Sequence, residues 1–398
     1  MKHPVHVVGI GMIPFSKPGT NPPYTEMGMQ AIRAALADAK VEYSEVQQAY
    51  VGYVYGDSTA GQRVLYGAGM TGIPIFNVNN NCSTGSTAIY LARQAVALGA
   101  AQCVLVLGFE QMKPGAIKSV FDDRPTPFDL FDDVAERLVD QPEIPLALRY
   151  FGGAGLEHMR LYGTKLSTFA KIRAKASRHA AKNPLAMMRR EITEEEVLSS
   201  PLVWPGVMTR LMACPPTCGA AAAIFCSREF AAAKGLDGRV SIAAQSMTTD
   251  TPEAFNSGSM RQLVGAGMTA AAANAVYDEA GVGPEDIDVI ELHDCFAHNE
   301  LITYEALGLC GEGGGEKLVR DEDNTFGGKY VVNPSGGLLS KGHPLGATGL
   351  AQCVELVQQL RGQAGARQVE AARFGLQHNI GLGGACVVTL YQGGHSIL

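Results

Sequence analysis

Between residues 79 and 99 the chain runs from a polar turn, Asn79-Asn80-Asn81, through the small residues that follow Cys82. It then enters apolar positions spaced along one helical face: Ala88, Leu91, Ala92, Ala95 and Val96. The preceding IPIFNV reads as a strand. Strand, turn and helix together set Cys82 at a helix N-terminus. A second stretch repeats the pattern. Lys341-Gly342-His343-Pro344-Leu345-Gly346-Ala347-Thr348-Gly349 leads into LAQCVELVQQLRG. Displaced by 261 positions, Gly85 falls on Gly346, Val96 on Val357 and Cys82 on His343. A further match, at an offset of 241, aligns AIRAALADAKVEYSEVQQAYV (31–51) with AAANAVYDEAGVGPEDIDVIEL (271–292). Both read as a helix, a short acidic turn and a strand. The chain is therefore expected to be an internal duplication with equivalent central helices that bring Cys82 and His343 together. The unequal offsets predict an insertion between the matched pieces of the second half.

The remaining pattern fills in an alternating α/β chain. VHVVGIGM, QAYVGYV and Cys103–Gly108 read as strands, and residues 26–40 as an amphipathic helix. GAAAAIF (219–225) reads as a buried strand, and VSIAAQSM as the strand that opens the second half. Strand DVIELHDCF is expected to carry His293 and Cys295 at its C-terminal end, where i and i+2 share a face. Asn333-Pro-Ser-Gly-Gly337 is a turn before the His343 helix. FGLQHNIGLGG is a strand ending in a loop, Gly381–Gly384, whose amides could face an oxyanion. ACVVTLYQ closes the chain's last strand. Residues 111–210 break the alternation.

Composition narrows the class. At 398 residues, 46% hydrophobic and 18% charged, the chain suits a compact enzyme of two or three domains with large cores. A net charge of −7 leaves no nucleic-acid footprint for the whole molecule. No apolar run approaches the roughly 18 residues of a membrane span. Met1-Lys2-His3-Pro4 passes at once into the first strand, leaving no room for a signal peptide. Nine cysteines scattered singly suit reduced thiols and a cytoplasmic location. The C-terminal His395–Leu398 does not match the peroxisomal Ser-Lys-Leu address.

Candidate chemistry centres on Cys82. A helix N-terminus offers unpaired amides and a dipole that favour thiolate. A space-filling buried cysteine is the plainer alternative; the matching His343 element is what raises the nucleophile–base reading above it. His293 and Cys295 could point into the same cleft. Gly9 and Gly11 lack the third glycine of a dinucleotide fingerprint, since Pro14 stands there, and are expected to form a tight strand exit. Cys214 and Cys218 offer only two thiols where zinc needs about four ligands. From Arg160 to Arg190 there are nine Lys or Arg and no Asp or Glu. That run reads either as a solvated helical face or as a site for a phosphorylated ligand.

Four loops, NNNCSTGSTA, HDCFAHNE, NPSGGLLSKGHPLGATG and QHNIGLGG, together resemble the thiolase superfamily. The form HDCF, with histidine where most thiolases carry asparagine, is similar to the sterol-carrier-protein type. The similarity runs essentially end to end, including ELHDCFAHNELITYEALGLC. It departs in three ways. No appended sterol-carrier domain follows the last strand, Cys218 stands where aspartate is expected, and Cys386 replaces an aliphatic residue. The resemblance implies an α/β thiolase fold of five layers, αβαβα. Residues 1–115 with 211–238 would form the N-terminal domain, 116–210 a loop domain over the ligand, and 239–398 the C-terminal domain.

The resemblance also implies a homodimer or tetramer, no metal, no cofactor beyond coenzyme A as substrate, and acyl-CoA esters as ligands. Carried onto these residues, Cys82 is the nucleophile, His343 its base and Cys295 the acid/base that serves enolate and CoA thiol. His293 would stabilise the enolate oxygen with a water's help. His378 stands where ordinary thiolases carry their second cysteine and would give polar support. Asn333, Asn379, Gly381 and Gly384 would line the oxyanion and substrate region. Thiolysis of a 3-ketoacyl-CoA, or the reverse Claisen condensation, is the expected reaction. Ketoacyl synthase or aldolase chemistry on the same scaffold is one alternative, and a non-catalytic acyl-CoA or lipid carrier the other. The synthase reading leaves Cys295 without a task, and a carrier needs neither cysteine nor histidine.

Overall fold

The computed structural model describes residues 3–115, 120, 121 and 123–394. Residues 116–119 and 122 of the expected loop domain, and the C-terminal His395–Leu398, lie outside the described residues. Twelve strands appear among the described residues, in chain order β1 (Val5–Met12), β2 (Gln48–Gly52), β3 (Ile75–Val78), β4 (Cys103–Glu110), β5 (Leu202–Trp204), β6 (Met208–Thr209), β7 (Gly219–Ser227), β8 (Val240–Thr248), β9 (Val289–Glu291), β10 (Val331–Val332), β11 (Phe374–Gly381) and β12 (Ala385–Gly393). β5 and β6 form a small separate hairpin. The other ten form one sheet in the order β10-β9-β11-β12-β8-β1-β7-β4-β2-β3.

That order is a repeat. Numbering strands within each half, both halves read 3-2-4-5-1. The sense of pairing repeats too. β2 lies parallel to β3 and β4, as β9 lies parallel to β10 and β11. β7 is antiparallel to β4 and β1, as β12 is to β11 and β8. The halves meet at a single recorded β1–β8 pair, His6 with Ser241. The predicted insertion falls between β9 and β10, where the helices Ala297–Ala306 and Gly315–Arg320 lie.

The two expected helices, Thr84–Ala97 and Leu345–Leu360, pack against each other between the half-sheets. Their contact is made by glycine. A Cβ on Gly85 would sit 2.8 Å from the Gly346 carbonyl oxygen, and one on Gly349 would sit 2.2 Å from the Ser86 nitrogen. Helix Tyr24–Ala39 covers the outer face of the first half-sheet and helix Ala266–Ala280 that of the second. Both faces of the central strands are thus buried, which is why β4 and β7 read as unbroken apolar runs. Gly9 and Gly11 differ from expectation. They lie inside β1, and a Cβ on either would meet helix Tyr24–Ala39 at 2.4 Å or less. Close helix–strand packing, and not a strand exit, requires them.

Among the described residues the inserted region shows no core of its own. Apolar residues between Phe131 and Met212 merge with those of the second half in one cluster. Its helix Leu166–Ala181 carries the middle of the basic run, and the two readings of that run divide along it. Arg173 and Lys175 are buried. Arg173 donates to Ser340 Oγ at 2.7 Å, and Lys175 pairs with the buried Glu300. Arg173 thus holds the turn after β10 and Lys175 the helix Ala297–Ala306, so both are internal ties and not phosphate ligands. Arg160, Lys165, Arg178, Lys182, Arg189 and Arg190 are exposed.

Candidate active site

Cys82 follows a turn that the local side chains close. Asn81 has φ +50°, a left-handed conformation that asparagine tolerates better than most residues. The Ser83 and Thr84 hydroxyls donate to the Asn80 and Asn81 carbonyls at 2.9 and 2.6 Å. Gly381 lies against this turn, and a Cβ there would sit 2.2 Å from the Asn80 carbonyl oxygen. Cys82 then stands just before helix Thr84–Ala97. His343 stands at the matching place before helix Leu345–Leu360, after a π-turn at Gly337–Lys341. Its amide donates to Thr217 Oγ1 at 3.1 Å.

His293 and Cys295 reach the site differently from the expected strand alternation. β9 ends at Glu291. The Asp294 amide donates to the Leu292 carbonyl at 3.1 Å, a three-residue turn around His293. Side chains then replace the sheet ladder. The Leu292 amide donates to Asn333 Oδ1, the His293 amide to His378 Nδ1, and Asn299 Nδ2 to the His293 carbonyl. Ligands farther along the chain therefore end the strand, which period-two reasoning had extended.

The cluster is tight. Cys82 Sγ and one ring nitrogen from each of His293 and His343 lie within 4.8 Å of one another. The two rings stand edge to face, 5.0 Å apart and 88° to each other. Among the described residues this is the one group of three or more His, Cys, Asp or Glu close enough to share an ion; Cys214 and Cys218 do not form one. Cys295 is buried, and its carbonyl accepts from the Cys214 amide at 2.9 Å. β11 sends Gln377 and Asn379 toward the central helices, where they bond to Gly349 and Ser86. It sends His378 the other way, to Thr269 Oγ1 at 3.0 Å. His378 touches the site through the His293 amide. Asn333, with φ +53°, braces the end of β9, and Gly381 and Gly384 bound a hairpin turn between β11 and β12.

Hydrogen-bond direction assigns the histidine protons. Thr348 donates its hydroxyl to the Pro344 carbonyl at 3.0 Å, so toward His343 Nδ1, 2.7 Å away, it must accept. His343 thus carries its proton on Nδ1. Its buried Nε2 lone pair has no hydrogen-bond partner among the described residues. For His293 the opposite holds. Asn379 Nδ2 donates to its Nδ1 at 2.9 Å, which leaves the proton on Nε2.

Burial sets the charges. The Cys82 thiol is pushed up to about 12, first by desolvation and then by the Glu110 carboxylate, against the pull of the Cys82 and Leu382 amides. Desolvation drops His343 to about 3. The resting pair is therefore a neutral thiol beside a neutral imidazole. The helix terminus was expected to favour thiolate; in this dry site the loss of water outweighs it. Burial also holds the Cys295 thiol well above its usual value, reinforced by Cys214, Cys82 and Asp294. His293 is held well below by burial, then by His343 and His378. Glu110, at the end of β4, is buried and raised to about 7 by desolvation, although the Val54, Tyr55 and Gly346 amides all donate to it. It ties the first turn of the His343 helix to the loop after β2. Thr348 was readable from its place five residues past His343. Ser86, Gln377 and Leu382 lie within the quoted loops NNNCSTGSTA and QHNIGLGG, although nothing local assigns them a task, and Glu110 carries no signal in the sequence that marks it.

Comparison with known proteins agrees with this fold. Residues 5–122 match the family described as "Thiolase, N-terminal domain", and residues 252–391 match "Thiolase C-terminal domain-like". The chain is 54% identical over 394 residues to "Sterol carrier protein 2" of Oryctolagus cuniculus, covering 98% of this chain and 72% of that one. Among solved structures, the "Ltp2-ChsH2(DUF35) aldolase" has TM-score 0.81 at 21% identity, with 98% of both chains covered. Human mitochondrial 3-ketoacyl-CoA thiolase in complex with CoA has TM-score 0.75 at 20% identity, covering 99% of this chain and 98% of that one. At these identities the two structures speak for the fold.

Proposed function

The chain belongs to the thiolase family, and from that premise we propose that it cleaves 3-ketoacyl-CoA with free CoA, or runs the reverse Claisen condensation, through an acyl-Cys82 intermediate. One observation carries the reading: a buried thiol faces a histidine that offers a lone pair and a histidine that offers a proton. The first serves a nucleophile, the second an enolate oxygen, and thiolytic cleavage needs both.

In this reading the substrate's keto carbon enters beside Cys82 Sγ. The thiol proton passes to His343 Nε2 as sulfur attacks, so thiolate exists only when an electrophile is at hand. Amides of Cys82 and Leu382 hold the oxyanion. When the C2–C3 bond breaks, His293 Nε2–H donates to the enolate oxygen and Cys295 gives its proton to the enolate carbon. The protonated enolate departs as acetyl- or propionyl-CoA and leaves the shortened acyl group on Cys82. Cys295, now thiolate, takes the proton from an incoming CoA thiol, whose sulfur then attacks the acyl group and frees Cys82. The exposed cations of the Arg160–Arg190 run suit the coenzyme's phosphates. A homodimer or tetramer belongs to this reading, with the free edge of β3 and its exposed Phe76 available for pairing. Nine unpaired cysteines suit a reducing, cytoplasmic setting.

The aldolase among the structural neighbours supplies the alternative. An aldolase breaks a carbon–carbon bond without an acyl-enzyme and without free CoA. A panel of 3-ketoacyl-CoA thioesters, incubated with and without CoA and followed by mass spectrometry of the Cys82 peptide, separates the two. The expected result is CoA-dependent cleavage with acyl-Cys82 trapped when CoA is withheld. Cleavage that needs no CoA and leaves Cys82 unmodified would favour the aldolase. Tight binding of CoA esters with no turnover across the panel would favour a carrier.

A further inference from the structure

His293 lies at the end of a chain of directed hydrogen bonds whose direction is fixed by a backbone carbonyl. The Gly349 carbonyl can only accept, so the Gln377 side-chain atom 2.7 Å from it is the amide nitrogen. That orientation turns Gln377 Oε1 toward the Tyr391 hydroxyl, which donates to it at 2.7 Å. The second hydrogen of Gln377 Nε2 goes to Ser86 Oγ at 2.8 Å, the nearer of two acceptors, since Gln352 Oε1 lies at 3.3 Å. Ser86, having accepted, spends its own hydrogen on Asn379 Oδ1, also at 2.8 Å. Asn379 is thereby left with Nδ2 facing His293 Nδ1 at 2.9 Å. Gln377, Ser86, Asn379 and Tyr391 are all buried, so water does not offer them other partners.

We propose that Ser86 and Gln377 are positioning residues that, through Asn379, lock the His293 proton onto Nε2 and so make His293 an obligate hydrogen-bond donor. Neither touches the reacting atoms. The catalytic use of that donor rests on the thiolase reading above; the proton's location does not. The relay also decides what the cluster cannot do. Cys82 Sγ and His343 Nε2 would offer a metal two ligand atoms, and His293 would complete a three-ligand site only by giving up the Nε2 proton. The relay withholds that third ligand.

The test begins with the unaltered protein. Nitrogen-15 spectra of histidine-labelled enzyme, with the His293 signal identified by its loss in His293→Asn, should show protonation at Nε2. A proton on Nδ1 would overturn the proposal whatever the enzyme's activity. Two variants then move the proton. Asn379→Asp puts a carboxylate against Nδ1, which draws the proton there. It should reverse the tautomer and cut kcat by roughly a hundredfold to a thousandfold, the loss expected of an oxyanion donor. With the third ligand released, it should bind cobalt(II), seen by thiolate-to-metal absorption, at least about tenfold more tightly than wild type. Ser86→Ala should give a mixed tautomer and a kcat lowered by about tenfold with KM little changed. Tyr391→Phe lies beyond the Gly349 anchor and should leave the tautomer as in wild type. If Ser86→Ala and Asn379→Asp fold, as judged by melting and Cys82 alkylation, yet keep the wild-type tautomer, the relay does not control His293. A correct tautomer in an enzyme inactive on every ketoacyl-CoA would keep the relay and sink the thiolase reading.

Discussion

His343 and His293 face the same thiol, but the first is held by a residue five positions along its own helix and the second by side chains from β11 and from the Thr84–Ala97 helix. The local arrangement survives anything that leaves helix Leu345–Leu360 intact. The remote one requires both central helices and β11 to be in register at once, because Gly349 and Ser86 come from different helices and meet Gln377 between them. The His343 arrangement can form with its helix, whereas that of His293 forms only when the two halves close. A site that uses one histidine of each kind becomes competent only in the finished fold.

The largest effects should come from breaking the proton-transfer groups themselves. His343→Asn should lower thiolysis by roughly a hundredfold to ten-thousandfold and remove the acylation phase in stopped-flow. A persistent fast acylation phase would put the base elsewhere. Cys295→Ala should lose as much turnover but leave Cys82 open to alkylation and CoA-ester binding largely intact. Near-normal thiolysis in that variant would move the acid/base role, with His378 the first suspect. His293→Ala comes next, at about a hundredfold to a thousandfold in kcat with little change in KM.

Smaller effects sharpen the contrast between the two histidines. Thr348→Val keeps the shape but removes the acceptor from His343 Nδ1. About a tenfold fall, confined to acylation, is expected, where Ser86→Ala should slow carbon–carbon cleavage instead. Equal effects on both phases would erase the division of labour. Because the Cys82 thiol sits near 12, with Glu110, Cys214, Cys295 and the two histidines around it, its alkylation should climb with pH from 7 to 9 by about tenfold per unit. A plateau near pH 7 would mean a standing thiolate–imidazolium pair. Smallest of all, single charge removal at Arg178, Lys182 or Arg189 should raise KM for a CoA thioester about two- to fivefold, and less for a pantetheine thioester. Equal rises for both would take the phosphate site away from this stretch.

Much of this was legible from residue order. The offset that carries Cys82 to His343 also carries Gly85 to Gly346, and those glycines touch. Short-range spacing sufficed there because each helix announces its own start. The strand toward His293 was read too far, since nothing local says that Asn333, His378 and Asn299 will take up its backbone groups. The basic run gave charge but not depth: Arg173 and Lys175 turn inward to Ser340 and Glu300, more than a hundred residues ahead. Gln377 and Ser86 look like ordinary core polar residues until Gly349 is seen between them. An activated Cys82 was read from the helix terminus and from His343 as base, and the desolvation that opposes a resting thiolate belongs to the assembled site.

The repeated half-sheets carry one more consequence. Two separate copies of a half, docked as a symmetric pair, must present the same residue twice at equivalent helix starts. Such a pair could offer two cysteines or two histidines at its centre, never one of each. Joining the halves in one chain lets the equivalent positions differ, so that one start carries a thiol and the other an imidazole. The chemistry at Cys82 is thus a broken symmetry. The nearly bare seam between β1 and β8 marks where two equals were joined and allowed to become unlike.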